Sequence, residues 1–192
     1  MARSKEFDES VVLHKAMLLF WEQGYEKTSL QDLVEHMGIH RRSLYDTFGD
    51  KHSLYLKALD RYGDLMSAAL KSEASRGNSA RQALRFIFDF MIEKGDDMPL
   101  GCLFVNSAIE LAPTDEQIDG KTSQGFQGEE QLIADIIRRG QQSGEWGAHH
   151  DPELVAESLH NSLVGIRVLG RTSAGKEKLH RIADASLAAL DK

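Results

Sequence analysis

The sequence is poor in cysteine, proline, long apolar runs and positive charge, and each shortage excludes something. One cysteine, Cys102, in 192 residues rules out an intramolecular disulfide and fits a reducing compartment. The three prolines (Pro99, Pro113 and Pro152) all stand at breaks between periodic segments, which leaves long stretches free to be helical. The strongest apolar run, Val11 to Trp21, is short and carries charge, so no membrane span is expected. Met-Ala-Arg-Ser-Lys-Glu at the N-terminus has no apolar core of a secretion signal, and the expected location is the cytoplasm. A net charge of −7 argues against a protein that coats nucleic acid indiscriminately. Even residues 1–51 hold seven Lys/Arg against nine Asp/Glu, so a DNA reader would have to gather its few cations on one small face.

What is present is helical periodicity. Val12, Ala16, Leu19 and Phe20 form one stripe over residues 8–23, and Gly24 supplies the stop. Thr28 is expected to open a second helix, with Gln31 completing a capping box, and Gly38 to end it. A short third helix follows over 40–47, with Leu44 and Phe48 inward. Asp50 caps a long fourth helix reaching Ser75. Further helices are expected over 79–94, 101–112, 114–143, 151–171 and 175–191. Gly125 and Gly128 weaken the middle of the 114–143 segment and predict a kink there, and Asp151-Pro152 is a strong helix start. No strand of period two and no repeat interrupts this pattern, so the fold class is all-α.

Two short helices joined by a tight glycine turn, the second presenting polar residues, outline a helix-turn-helix. With Leu44 and Phe48 inward, His40, Arg41, Arg42, Ser43 and Tyr45 are left to face outward. Arginine can fork onto guanine O6/N7 or a phosphate, and tyrosine can donate to phosphate. The hydroxyls of Thr28 and Ser29 open one helix and Lys51 the next, where free N–H groups suit a phosphate. Arg3 and Lys5 are expected to form an arm. A solvated helix surface is the plain alternative for the polar face of 40–45.

The stretch Tyr25-x-x-Thr28-Ser29-x-x-x-Leu33-x-x-x-Met37-Gly38-Ile39-x-x-x-Ser43-Leu44-Tyr45-x-x-Phe48-x-Asp50-Lys51-x-x-Leu54 resembles the DNA-binding signature of the TetR/AcrR family of transcriptional repressors, over about the first 60 residues. The resemblance implies a nine-helix subunit: a helix-turn-helix domain over 1–50 and a ligand-binding and dimerisation domain over 51–192. It implies a homodimer through residues 151–171 and 175–191, a palindromic double-stranded operator, and release by a small-molecule effector, with the fourth helix coupling pocket to DNA. Thr28, Ser29, Tyr45 and Lys51 would contact phosphates. His40, Arg41 and Arg42 would read bases, with Ser43 and Thr47 beside them. Arg42 departs from the small residue common in the family, and Asp46 and Thr47 from its aromatic residue or histidine. Asp46 would repel phosphate unless it pairs with Arg42 or accepts from a cytosine amino group. Residues 101–110, Gly-Cys-Leu-Phe-Val-Asn-Ser-Ala-Ile-Glu, resemble the start of the sixth helix in a subset of the same family.

The remaining candidates carry two readings each. Phe86, Phe90, Phe104 and Trp146 would line an apolar ligand pocket or simply fill the core. His160 and Arg167, seven apart, are polar ligand contacts if their face points inward. Gly165, Gly170, Ala156, Leu163, Val164 and Val168 suit a close helix crossing, hence a dimer interface. His36 and His40 have a metal-ligand spacing, but Gly38 lies between them. His149, His150 and Asp151 are expected to cap and solvate a helix rather than hold a metal. Cys102 is either a thiol sensor at a helix start or a core residue; its sequence neighbours are apolar and no Lys or Arg stands between Lys94 and Lys121, which favours the core reading. No cofactor is implied. An all-helical enzyme is the first rival, but no Gly-rich phosphate loop, HExxH or nucleophile elbow is present. A ligand-free nucleoid or partner-binding module is the second.

Overall fold

A computed structural model describes residues 7–93, 95 and 98–191, so Arg3 and Lys5 lie outside the described residues. Within them run nine α-helices and no strand: α1 Glu9–Gln23, α2 Leu30–Met37, α3 Arg41–Phe48, α4 Lys51–Ser75, α5 Ala80–Ile92, α6 Leu103–Glu110, α7 Glu116–Gln142, α8 Pro152–Leu169 and α9 Lys176–Leu187. A short 3-10 turn, Ala188–Asp191, follows the last.

Local chemistry sets these bounds. Asp8 caps α1 by accepting from the N–H groups of Ser10 and Val11, and Asp50 caps α4 through Ser53 N–H at 2.7 Å. The α2 cap lies one residue later than expected. Ser29, not Thr28, is the N-cap: its Oγ accepts from Asp32 N–H at 3.1 Å while the Asp32 carboxylate accepts from Ser29 N–H at 2.8 Å. Gln31 is instead hydrogen-bonded to Glu35. Gly38 closes α2 at φ +71°, a left-handed conformation that L side chains adopt only under strain.

Packing explains the larger departures. α7 runs as one helix through Gly125 and Gly128, the glycines expected to weaken its middle. Gly125 is there because the Phe104 ring lies against its backbone; a Cβ at that position would meet Phe104 Cε2 at 2.3 Å. The α6 helix is shorter than expected, beginning after Cys102, which sits at its N-cap. Ala156 and Leu163, assigned to an interface on composition, are buried inside the chain itself.

An edge-to-face aromatic series threads the molecule. Trp21 meets Tyr62 at 4.9 Å between centroids, Tyr62 meets Phe104 at 4.9 Å, and Phe104 meets Phe126 at 6.2 Å. It joins α1, α4, α6 and α7, so the small N-terminal bundle and the larger helical body share a continuous core.

Candidate nucleic-acid interface

α1, α2 and α3 bury Phe20, Leu33, Met37, Leu44 and Phe48 among themselves and against α4. That leaves the opposite face of α3 in solvent. His40, Arg41, Arg42 and Tyr45 are exposed there, and Ser43 and Thr47 are half-buried along its edges. Arg41 lies 5.8 Å from the centroid of the Tyr45 ring. Arg42 Nε approaches Asp46 Oδ2 at 3.6 Å, so the departure at Asp46 comes with the neutralising partner one turn away.

The phosphate candidates divide. Ser29 is exposed at the N-terminus of α2, and its hydroxyl is also engaged with Asp32, whose carboxyl is held below its ordinary value first by the Ser29 side chain and then by Ser29 N–H. Lys51 stands at the start of α4 with its ammonium 4.1 Å from the Tyr25 ring centroid. Thr28 does not fit its expected role: its side chain is fully buried and its hydroxyl donates to Gly24 O at 2.6 Å, closing the turn between α1 and α2.

Behind this surface the larger body grips the small bundle through polar contacts that sequence reasoning missed. Glu110, the last residue of α6, accepts from Tyr25 N–H at 3.0 Å and from Glu26 N–H at 2.7 Å. Asn106, one turn earlier, donates to Trp21 O at 3.2 Å, and Arg171 donates to Glu22 O at 3.1 Å. Tyr55 and Ser107 share a buried hydrogen bond of 2.8 Å. His52 meets Asp115 at 2.6 Å; the Asp115 carboxyl is held below its ordinary value, first by Ile118 N–H and then by His52.

A cavity of about 580 Å³ opens between α4, α6 and α7. Of the six residues proposed as ligand contacts, Phe104 lines it. Phe86 and Phe90 stand half-buried on α5 and do not line it: Phe90 packs against the core, and Phe86 lies under the Arg76 guanidinium. Trp146 packs on Gly140. His160 and Arg167 are buried, but they do not line the cavity: both meet the Glu129 carboxylate, and His160 Nδ1 also lies 3.0 Å from Glu130 Oε1. Arg167 Nη2 donates to Glu129 Oε2 at 2.7 Å, and His160 Nε2 lies 3.2 Å from the same oxygen. Burial alone would raise the Glu129 carboxyl, but the Arg167 charge and the hydrogen bonds from His160 and Arg167 hold it below its ordinary value.

Arg167 also alters the account of Cys102. The thiol is buried, accepts from Tyr62 Oη–H at 3.2 Å, and has Arg167 Nη1 at 3.7 Å. A cation is therefore beside it after all, brought from 65 residues away in the chain. Among the described residues no cluster of three metal-ligating side chains forms, and no helix is long and apolar enough to cross a membrane.

Residues 12–58 match the model of bacterial regulatory proteins of the tetR family, and residues 80–186 match that of the tetracyclin repressor-like C-terminal domain. The chain is 35% identical over its whole length to the HTH-type transcriptional regulator YezE of Bacillus subtilis, covering all of that protein. It is 35% identical to the HTH-type transcriptional repressor ComR of Escherichia coli, over 96% of this chain and 90% of that one. Its fold superposes with a TM-score of 0.89 on a cysteine mutant of the TetR family regulator CifR, solved with a 26-bp double-strand operator DNA, at 29% identity over 98% of this chain and 99% of that one. Two family models that together span both helical bodies, with full-length relatives in agreement, show that the chain belongs to the TetR family of transcriptional regulators.

Proposed function

We propose that this regulator is a dimeric repressor that binds a palindromic operator through α3 and lets go when a small molecule fills the cavity between α4, α6 and α7. The observation that carries DNA binding is the exposed face of α3, where His40, Arg41, Arg42 and Tyr45 stand free of the core that Leu44 and Phe48 anchor. Arg41 and Arg42 reach base edges, while Tyr45, Ser29 and Lys51 set the register on phosphates. The operator complex of the similar CifR mutant supports this assignment.

Dimerisation is supported by an unpartnered stripe on α8. Leu154, Ser158, Asn161, Gly165 and Val168 follow one another at helical spacing, none is buried in the single chain, and a Cβ on Gly165 would meet nothing within 4 Å. A second copy packed there would hold two α3 helices in successive major grooves, about 34–36 Å apart.

Release follows from the position of α6. Phe104 on this helix lines the cavity, while Asn106 and Glu110 hold the α1–α2 corner. α4 takes part as well, lining the cavity with Leu59 and Met66 and beginning at Lys51. A molecule that prefers a displaced Phe104 lowers operator affinity by the same factor that the operator lowers its own binding. Footprinting on the DNA upstream of the protein's own gene tests the proposal. Two protected half-sites related by dyad symmetry, lost from the mutant Arg41→Ala, are expected; uniform or absent protection would contradict it.

A further inference from the structure

We propose that the molecule admitted by the cavity is a largely apolar compound that offers an O–H or N–H donor to Glu129 and carries no negative charge. The inference rests on the cavity being the effector site, and adds to it the chemistry of the occupant.

The walls come from Leu59, Met66, Phe104 and Leu132, with Gly128 presenting bare backbone, so most of an occupant's surface would meet hydrocarbon. Lys121 is spent on an ion pair with Asp60, and Asp64 and Lys71 are exposed to solvent. Glu129 is different in kind. It lines the cavity, is 7% exposed, and divides its two oxygens unequally. Oε2 takes Arg167 and His160, whereas Oε1 is buried with no hydrogen-bond partner among the described residues.

An ionised carboxylate only accepts hydrogen bonds, so whatever completes Oε1 must donate. Leaving such an oxygen buried and unpaired is costly, and the occupant that pairs it gains that difference. A ligand anion would meet an acceptor with nothing to give and a like charge beside it. A ligand cation is not required, because Arg167 already balances the one buried carboxylate. A neutral hydroxyl or amide N–H on an aromatic or aliphatic body suits both Glu129 and the apolar walls, while Ser67, Lys71 and Gln124 stand at the solvent side.

Three probes of one skeleton separate these features by titration calorimetry on the full chain: 4-phenylphenol, 4-methoxybiphenyl and biphenyl-4-carboxylate. The phenol should bind about tenfold tighter than its methyl ether, since the hydrogen bond it alone makes is to a charged acceptor, and the carboxylate more weakly than either. In Glu129→Gln the preference for phenol over ether should fall below threefold; in Asp64→Asn, an exposed position, it should persist. Gly128→Leu, which directs a side chain into the space, should abolish binding of all three. Equal binding of phenol and ether, or a preference that survives Glu129→Gln or vanishes in Asp64→Asn, overturns the donor assignment while leaving the cavity as the effector site. No binding by any probe, or binding that survives Gly128→Leu, overturns the cavity reading and the inference with it.

Discussion

Replacing Arg167 by Met should reveal how much the buried carboxylate depends on it. The guanidinium is 2% exposed and Glu129 7%, so neither charge is relieved by solvent. Methionine fills a similar volume without a donor, and removing one member of a buried ion pair costs about 3–5 kcal/mol because the other charge is left uncompensated. For a domain of this size each kcal/mol shifts the melting temperature by roughly 2–4 °C, so a loss on the order of 6–20 °C is expected near neutral pH. The sign of the pH dependence is the sharper test. In the native protein the Glu129 carboxyl is held below its ordinary value, so its contribution is present above the unfolded value of 4.5 and is lost as pH falls through the lower folded one. Without Arg167 only His160 offsets the cost of burying the charge, and the folded value moves upward. The carboxylate then destabilises the variant progressively as pH rises. Differential scanning calorimetry at fixed protein concentration from pH 4.5 to 7.5 should therefore show a deficit that is largest at pH 7.5 and shrinks toward pH 4.5. A deficit below about 2 °C, or one independent of pH, would refute the reasoning.

Other substitutions isolate single contacts. Thr28→Val removes the hydroxyl that donates to Gly24 O, so it should lower stability by about 1 kcal/mol in chemical denaturation without changing operator affinity. A selective loss of DNA binding would restore Thr28 as a phosphate contact. Glu110→Ala leaves the Tyr25 and Glu26 amides without their acceptor, so hydrogen exchange at those two amides should accelerate while exchange in α7 is unchanged. Gly165→Arg places a long cation on the outward stripe of α8. Sedimentation should then report the 21.5 kDa subunit where the unaltered protein sediments at twice that mass, with the helical content preserved. An unaltered protein that is itself monomeric at micromolar concentration would contradict the proposed dimer.

The small N-terminal bundle was legible because its signals are local. Asp50 caps α4 through a group three residues on, and Gly24 and Gly38 end α1 and α2. The cap at Ser29 was missed by one position because both Thr and Ser can cap; the reciprocal bonds between Ser29 and Asp32, and the bond from Thr28 to Gly24 O four residues back, decide between them. The larger body was less legible, since its decisive contacts join distant segments. Arg167 reaches Glu129 across 38 residues and Cys102 across 65, and no window of sequence contains both partners. One signal was available. Glu129 lies in register with the buried positions Ile118, Thr122, Ile133, Ile136 and Gly140 of α7, and an acid on an apolar stripe marks a paired or ligand-facing carboxylate. Gly125 was taken as a weak point in that helix, when its purpose is to admit the Phe104 ring.

The central claim is that the exposed face of α3 reads DNA sequence, and fluorescence anisotropy with operator variants tests it most directly. A labelled duplex from the protein's own upstream region should bind with an affinity on the order of 10⁻⁸ M or tighter, at least about 10³-fold better than a shuffled duplex. Tyr45→Ala should weaken binding to every variant duplex alike, as a phosphate contact does, whereas Arg41→Ala should erase about 1–3 kcal/mol of preference at one definable base pair. Equal affinity for upstream and shuffled DNA, or a uniform loss in both mutants across the whole panel, would contradict the account.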